Sequence, residues 1–271
     1  MREDLEYLFN DFAKKINVKD LRNKTVLDIG TDMNLEEAKE FVKLGVKEVY
    51  CVNPLFPDNL VSPDERIKLI KDFGENVKFE RKFDCIFGVC LLEHVLNIEE
   101  LLNEVNRMLK PNGIAYLQGC PMFLSSYGHH VWLNTSEVFY KFCNETNPFE
   151  PWEYLVLNTK EKYAECLLKK GLSEEIANSL ANQYMSDFIS KVPSSEIIKY
   201  ARKIFGNRLM IDRWSEYLPS NKFYEMVKDK YLEKDLNTRA LMLTITPVHY
   251  RYLKYLKKLI KNLKTLQLCY Y

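Results

Sequence analysis

Two adjacent histidines, His129 and His130, follow Gly128 in a 271-residue chain that holds only four histidines. An imidazole titrates close to neutrality, so either ring can take a proton from a bound hydroxyl. Neighbouring residues point apart, so at most one of the pair is expected to meet a substrate. The competing reading is that both pack inward or bond to backbone carbonyls. Ser125, Ser126 and Tyr127 stand just before the pair and offer hydroxyls that can orient a polar acceptor. Trp132, Trp152 and Tyr154 can stack on a sugar or a base, or fill a helical core. Arg208 carries a planar fork suited to a phosphate or carboxylate, with an interdomain salt bridge as its plainer role. No third metal-ligating side chain lies near the two histidines in sequence, so no metal is expected.

A second set of chemical residues falls where short apolar runs stop. Thr25 to Ile29 reads as a buried strand, and Asp28, Gly30, Thr31, Asp32 and Asn34 crowd its end. Glu48 to Val52 reads as another, stopped by Asn53-Pro54. Phe83 to Gly88 reads as a third such run, followed by Val89, Leu91 and the pair Glu93-His94. In parallel α/β sheets, ligands bind beyond the carboxyl ends of strands where the strand order reverses.

The elements that must position these groups alternate. Residues 2–16 carry apolar side chains at helical spacing, and Leu35 to Leu44 reads as a helix with Gly45 at its C-terminal cap. Ser62-Pro63-Asp64-Glu65 has the form of a capping box and predicts a helix through Phe73. Val77 to Glu80 reads as a short strand. Asn97 caps a helix that ends at Lys110-Pro111, and Asn112-Gly113 turns the chain into a strand over Ile114 to Gln118. Five such alternations within about 100 residues predict a parallel sheet with helices on both faces. From Gly119 to about Arg208 the pattern breaks into aromatic-rich, mostly helical sequence, with helices expected over Lys160–Lys170, Ser173–Lys191 and Ser194–Phe205. Asp212–Leu218 is read as helix and Phe223–Val227 as strand. Arg239 to Thr246 predicts a final strand, and Val248 to Leu266 a basic amphipathic helix. That last helix reads as packed on the sheet with a solvated lysine face, or as a surface for an anionic membrane or a partner.

Composition narrows the function classes. Thirty-nine basic against 38 acidic side chains leave a net charge of +1, so no global field draws the chain to nucleic acid. The seven cysteines show no CxxC spacing and read as free thiols in a reducing compartment. The amphipathic start lacks a signal core, and no uncharged run reaches the length of a membrane span, so a soluble cytoplasmic protein is expected.

The segments VLDIGTDMN at Val26–Asn34 and FDCIFGVCLLEHV at Phe83–Val95, with LKPNG at Leu109–Gly113, together resemble the class I S-adenosylmethionine-dependent methyltransferases. That resemblance implies a Rossmann-like, seven-stranded, mostly parallel sheet with helices on both faces and a mainly helical lid inserted after strand five. It implies a cofactor-binding core over residues 1–118 and 209–271, and an insertion over 119–208. It assigns S-adenosylmethionine to Asp28, Gly30, Thr31, Asp32, Asn53, Pro54, Gly88, Val89 and Leu91. Two departures stand out: Asp32 and Asn34 occupy usual glycine positions, and Asn53 replaces the usual acid that accepts from the ribose. The absence of G-x-G-x-x-G after the first strand disfavours a dinucleotide dehydrogenase.

The strings SSYGHHVW, PFEPWEYL and GNRLMIDRW resemble a bacterial subgroup acting on small molecules and surface-polysaccharide precursors. The expectation is O-methylation of a sugar or phosphorylated group, with His129 or His130 as base and Tyr127, Trp132 and Arg208 against the acceptor. Methylation of an amine and a catalytically degenerate binding protein are the alternatives. A small-molecule or glycan-precursor partner is expected, without nucleic acid or stable membrane insertion. Oligomerisation is left open.

Overall fold

The computed structural model describes residues 3–15, 21–143, 145–184 and 188–247. Its strands in chain order are β1 (Thr25–Ile29), β2 (Glu48–Val52), β3 (Ile67–Ile70), β4 (Phe83–Gly88), β5 (Leu109–Gly119), β6 (Trp132–Asn134), β7 (Phe139–Lys141), β8 (Leu209–Ser215) and β9 (Thr238–Ile245). The helices are α1 (Glu3–Lys15), α2 (Glu36–Lys43), α3 (Ile98–Met108), α4 (Glu153–Leu157), α5 (Lys160–Lys169), α6 (Glu174–Tyr184), α7 (Ser194–Phe205), α8 (Lys222–Val227) and α9 (Glu233–Leu236).

Seven strands form one sheet in the order β3-β2-β1-β4-β5-β9-β8, while β6 and β7 make a separate hairpin. Pairing is parallel from β3 through β5, and β9 runs antiparallel to both β5 and β8. The strand order reverses between β1 and β4, so their carboxyl ends diverge into a crevice. All five residues of β1 are buried, as a strand covered on both faces requires.

The two faces are packed differently. On one, Leu27, Ile29 and Ile86 meet α3 and α7 through Leu101, Leu102, Val105, Ile197 and Ala201. On the other, Phe9, Phe12, Phe41, Phe87 and Tyr116 lock α1 and α2 onto the sheet through edge-to-face and tilted ring pairs 5.0–6.1 Å apart. Asn97 caps α3 by accepting from the Glu100 amide at 3.2 Å, as its sequence position predicts.

A third apolar cluster builds the segment between β5 and α7. Phe149, Trp152, Tyr154, Tyr163 and Leu180 are its large members, joined by Val227 of α8 and Leu236 of α9. This segment enters and leaves the sheet at one residue. Glu93 accepts from the Cys120 amide through Oε1 at 3.0 Å, and its carbonyl accepts from the Ser190 amide at 2.8 Å. Helix α7, placed by sequence with the insertion, packs on α3 and the sheet core.

Three sequence expectations are corrected. Residues 67–70 form β3 and not a helix, because Asp64 folds onto Arg66, accepting from its amide and Nε at 2.9 Å, and the chain then pairs with β2. Val77–Glu80 carries no strand; Val77 joins the core cluster beneath α3, and Phe79 stands edge-on to Tyr50 and Phe83. The sixth strand of the sheet is Leu209–Ser215, in place of the helix expected over Asp212–Leu218, whereas Phe223–Val227, expected as strand, lies within α8, capped by Asn221. Among the described residues no helix is long and apolar enough to cross a membrane. The expected helix at Val248–Leu266 lies outside the described residues.

Candidate functional site

The tip of β1 turns at Gly30, whose φ is +82° and whose amide donates to the Val52 carbonyl at 2.8 Å. This left-handed conformation suits glycine. Thr31 is buried and donates its hydroxyl to the Asp28 carbonyl at 3.0 Å. Asp32 does not turn into the crevice. Its carboxylate accepts from the Asn34 and Glu36 amides at 2.7 Å each, and so closes the N-terminus of α2. Asn34 is exposed. The two departures from glycine therefore leave the space between β1 and β4 clear of their side chains.

Asn53 bridges the tips of β1 and β2. Its amide donates to the Thr31 carbonyl at 2.8 Å, and its oxygen accepts from the Leu55 amide at 2.8 Å. That oxygen keeps a second lone pair for an incoming hydroxyl. Pro54 follows, half-buried.

Beneath the turn sit three carboxyls. Asp28 is 1% exposed, and its Oδ2 has no hydrogen-bond partner. Burial pushes its pKa up to about 7, with Asp32 adding to the rise. Glu37 of α2 is pushed up to about 10 by burial and by its hydrogen bond to Asp32, so it is a neutral acid and the donor in that bond. Asp32, accepting from Glu37 and from backbone amides, stays below the usual carboxylate range.

Across the crevice, β4 ends at Gly88. A β-carbon there would stand 2.5 Å from Leu91 Cδ2 and 3.1 Å from the Ile29 carbonyl oxygen. Leu91 also lies against Gly30, with its Cδ1 3.5 Å from where a β-carbon would be. Val89 and Leu91 are both buried. Gly30, Thr31, Asn53, Gly88, Val89 and Leu91 thus stand at neighbouring strand ends, and the Asp28 Oδ2 beneath them is buried without a hydrogen-bond partner. These features fit a nucleotide cofactor that carries an ammonium group.

The same loop from β4 leads to Glu93-His94, and the segment after β5 brings His130 to them. Ligand atoms of Glu93, His94 and His130 lie within 4.8 Å of one another. His130 takes a φ of +55°, and its Nδ1 lies 2.7 Å from the Gly128 carbonyl. His94 Nδ1 lies 2.7 Å from the Phe188 carbonyl. A carbonyl oxygen can only accept, so Nδ1 carries a proton in both rings, and in a neutral ring Nε2 is then the nitrogen with the free lone pair. Burial pushes the Glu93 carboxyl up to about 7, and burial together with His94 holds His130 down at about 3. The rings of His94 and His130 meet edge to face at 5.3 Å. They line a cleft of about 400 Å³ with Trp132, Asn182, Gln183 and Phe188.

His129 is separated from this cleft. It is fully buried between Phe149 and Tyr154, with ring centroids 5.2 Å from each, and its Nδ1 accepts from the Val131 amide at 3.1 Å. Burial holds it at about 3. The expectation that His129 serves as base gives way to a packing role, while His130 reaches the cleft. The turn that sets both is tightly wound: a β-carbon at Gly128 would lie 2.2 Å from the Phe123 carbonyl oxygen. The Tyr154 hydroxyl lies 2.5 Å from the Phe123 and Ser125 carbonyls, and the Trp152 amide donates to Ser126.

Arg208 is misplaced for an acceptor. It reaches the Gly113 and Thr246 carbonyls at 3.4 Å, at the edge of the sheet where β5 begins. That is the edge opposite the crevice. Arg239 is the basic residue that sequence reasoning missed. It begins β9, and because β9 runs backwards this start falls at the crevice edge. Arg239 pairs with Glu216 at 2.5 Å, and Ser126 donates to the same carboxylate at 2.6 Å. With Tyr127 it lines a second cavity of about 270 Å³.

The methyltransferase-domain family profile matches residues 1–164. No curated protein matches the sequence. Among solved structures, an S-adenosylmethionine-dependent methyltransferase from Mesorhizobium loti is similar at 11% identity, covering 83% of this chain and 92% of its own, with a TM-score of 0.48. Phosphoethanolamine N-methyltransferase 2 from Haemonchus contortus, solved with phosphomonomethylethanolamine and S-adenosylhomocysteine, is similar at 14% identity over 83% of this chain and 49% of its own, with a TM-score of 0.46. The N-methyltransferase NodS from Bradyrhizobium japonicum shares 9% identity over 90% and 97%, with a TM-score of 0.44.

Proposed function

The chain belongs to the methyltransferase-domain family, and as an S-adenosylmethionine-dependent methyltransferase we propose that it methylates a hydroxyl of a small, neutral, sugar-like acceptor. One observation carries this reading: the crevice between β1 and β4 and the cleft at His94 and His130 are joined by the single loop Gly88–His94. A methyl donor seated on the first can face an acceptor in the second.

The cofactor supplies an electrophilic methyl on a sulfonium, so the protein's task is alignment and activation of the acceptor. Asp28 would pair with the cofactor's ammonium through its orphan oxygen, and Asn53 would accept from a ribose hydroxyl. Leu91, held against Gly30 and Gly88, would pack on the cofactor and exclude water. In the cleft, Trp132 is 49% exposed and braced by Phe139 at 5.0 Å, so it offers a stacking surface for a sugar ring. Asn182 adds an amide. Among the described residues that line this cleft none is a lysine or arginine, and Lys141 stands over the Trp132 ring at 5.1 Å, so one face of the indole is taken and a polyol fits the remaining polar lining. A precursor of a surface polysaccharide fits that description.

The test is methyl transfer from labelled S-adenosylmethionine to a panel of free and nucleotide-linked sugars, with cofactor binding followed by calorimetry. Binding of the cofactor with transfer to a sugar hydroxyl supports the proposal. No heat with the cofactor, or transfer to amines alone, overturns it.

A further inference from the structure

We propose that Glu93, His94 and His130 form a binding site for one divalent first-row transition-metal ion. Sequence spacing does not reveal it, because the third ligand stands 36 residues beyond His94 and the fold alone brings it near. The three side chains present ligand atoms within 4.8 Å of one another. Glu93 Oε2 and His130 Nε2 are both buried and have no hydrogen-bond partner. Unpaired buried acceptors that converge repel one another, and each forfeits hydration. A cation resolves both penalties at once.

The surrounding bonds are those that orient metal ligands. Each imidazole gives its Nδ1–H to a backbone carbonyl, Phe188 for His94 and Gly128 for His130, which fixes the ring and directs the lone pair of Nε2 outward. Glu93 is held through its other oxygen by the Cys120 amide. A β-carbon at Gly119 would come 3.0 Å from Glu93 Oε2, so this carboxylate has room only beside glycine. The left-handed conformation of His130 is a backbone strain of the kind retained at functional positions. Metal–nitrogen and metal–oxygen bonds of about 2.1 Å require ligand atoms roughly 3 to 3.5 Å apart, so the cluster contracts slightly on binding. Two imidazoles and one carboxylate favour a transition metal over calcium or magnesium and leave coordination positions open.

The site stands on geometry alone; its role in the reaction rests on the methyl-transfer reading. The acceptor hydroxyl takes an open position on the ion, which acidifies it, and its proton leaves to solvent. The oxygen lone pair then forms a bond to the methyl carbon. The carbon–sulfur bond breaks with its pair going to sulfur, giving methyl ether and S-adenosylhomocysteine. His130 acts here as a ligand in place of a proton acceptor.

The experiment uses the full chain, freed of metal by a chelator and titrated with Co²⁺, read by visible ligand-field absorption and by calorimetry. One equivalent should bind, and His94→Ala, His130→Asn and Glu93→Gln should each weaken it at least about 100-fold. Asparagine tolerates the φ at 130, and glutamine keeps the acceptor for Cys120, so these variants stay folded. Without metal their S-adenosylmethionine affinity should match the parent, and each should still unfold cooperatively, with at most the small loss expected from the backbone bonds that His94 and His130 give up. Absence of cobalt binding, or binding unchanged in the variants, overturns the site. Failure of the parent to bind S-adenosylmethionine overturns the methyl-transfer reading and leaves the cobalt result standing.

Discussion

Asp28→Asn removes a carboxyl that is 1% exposed and that burial holds at about 7 against an ordinary 3.8. In the unfolded chain this group ionises near pH 4. Between roughly pH 4 and 7 the folded protein therefore keeps a proton that the unfolded chain has released. The stability contributed by Asp28 is whole below pH 4 and is lost as pH rises through 7. At about 1.4 kcal/mol per pH unit the loss has a ceiling of about 4 kcal/mol. Asparagine does not titrate, so the variant should lack this slope and should be the more stable protein at pH 8. Urea unfolding at pH 4, 6 and 8 measures the effect. Curves for parent and variant that run parallel across this range would refute the argument. The same substitution should weaken S-adenosylmethionine by about ten- to a hundredfold, because the cofactor's ammonium loses a charged partner worth roughly 1.5–3 kcal/mol. Greater stability with poorer binding is the combined signature.

Other perturbations probe separate parts of the site. Gly88→Ala sets a methyl 2.5 Å from Leu91 Cδ2; it should lower stability by about 1–3 kcal/mol and drive Leu91 into the crevice, seen as lost cofactor heat in calorimetry. Tyr154→Phe removes the hydroxyl bonded to the turn before Gly128; thermal unfolding should report a loss of about 1–3 kcal/mol, and turnover should fall as His130 loses its support. Arg208→Ala, at the opposite edge of the sheet, should leave methyl transfer within about twofold of the parent in the labelled assay.

Much of the sheet was legible because its central strands are largely buried and read as short, mostly apolar runs. Thr25–Ile29, Glu48–Val52 and Phe83–Gly88 are found where the sequence places them. The edges were not legible. IKLI at 67–70 fits helix or strand equally, and only its pairing with β2 decides. The run at 209–215 is an outer strand whose later residues face solvent, so its apolar signal is weak. In the site, glycine and aspartate positions at strand ends could be read because chain direction fixes where they fall. Arg239 could not, because its place depends on the reversal of β9. His129 and His130 are indistinguishable in sequence, and the tight turn at Gly128 separates one into the core and the other into the cleft.

Glu93 fastens both the departure and the return of the chain between Cys120 and Ser190. A loop closed at one point adds an entropy that grows only with the logarithm of its length. The loops within the intervening 70 or so residues can therefore change length at little entropic cost, while the apolar cluster they share with Val227 of α8 and Leu236 of α9 holds the segment in place. A length change there would move His130 and the cleft it lines while leaving Gly30, Asn53 and Gly88 at their strand tips untouched.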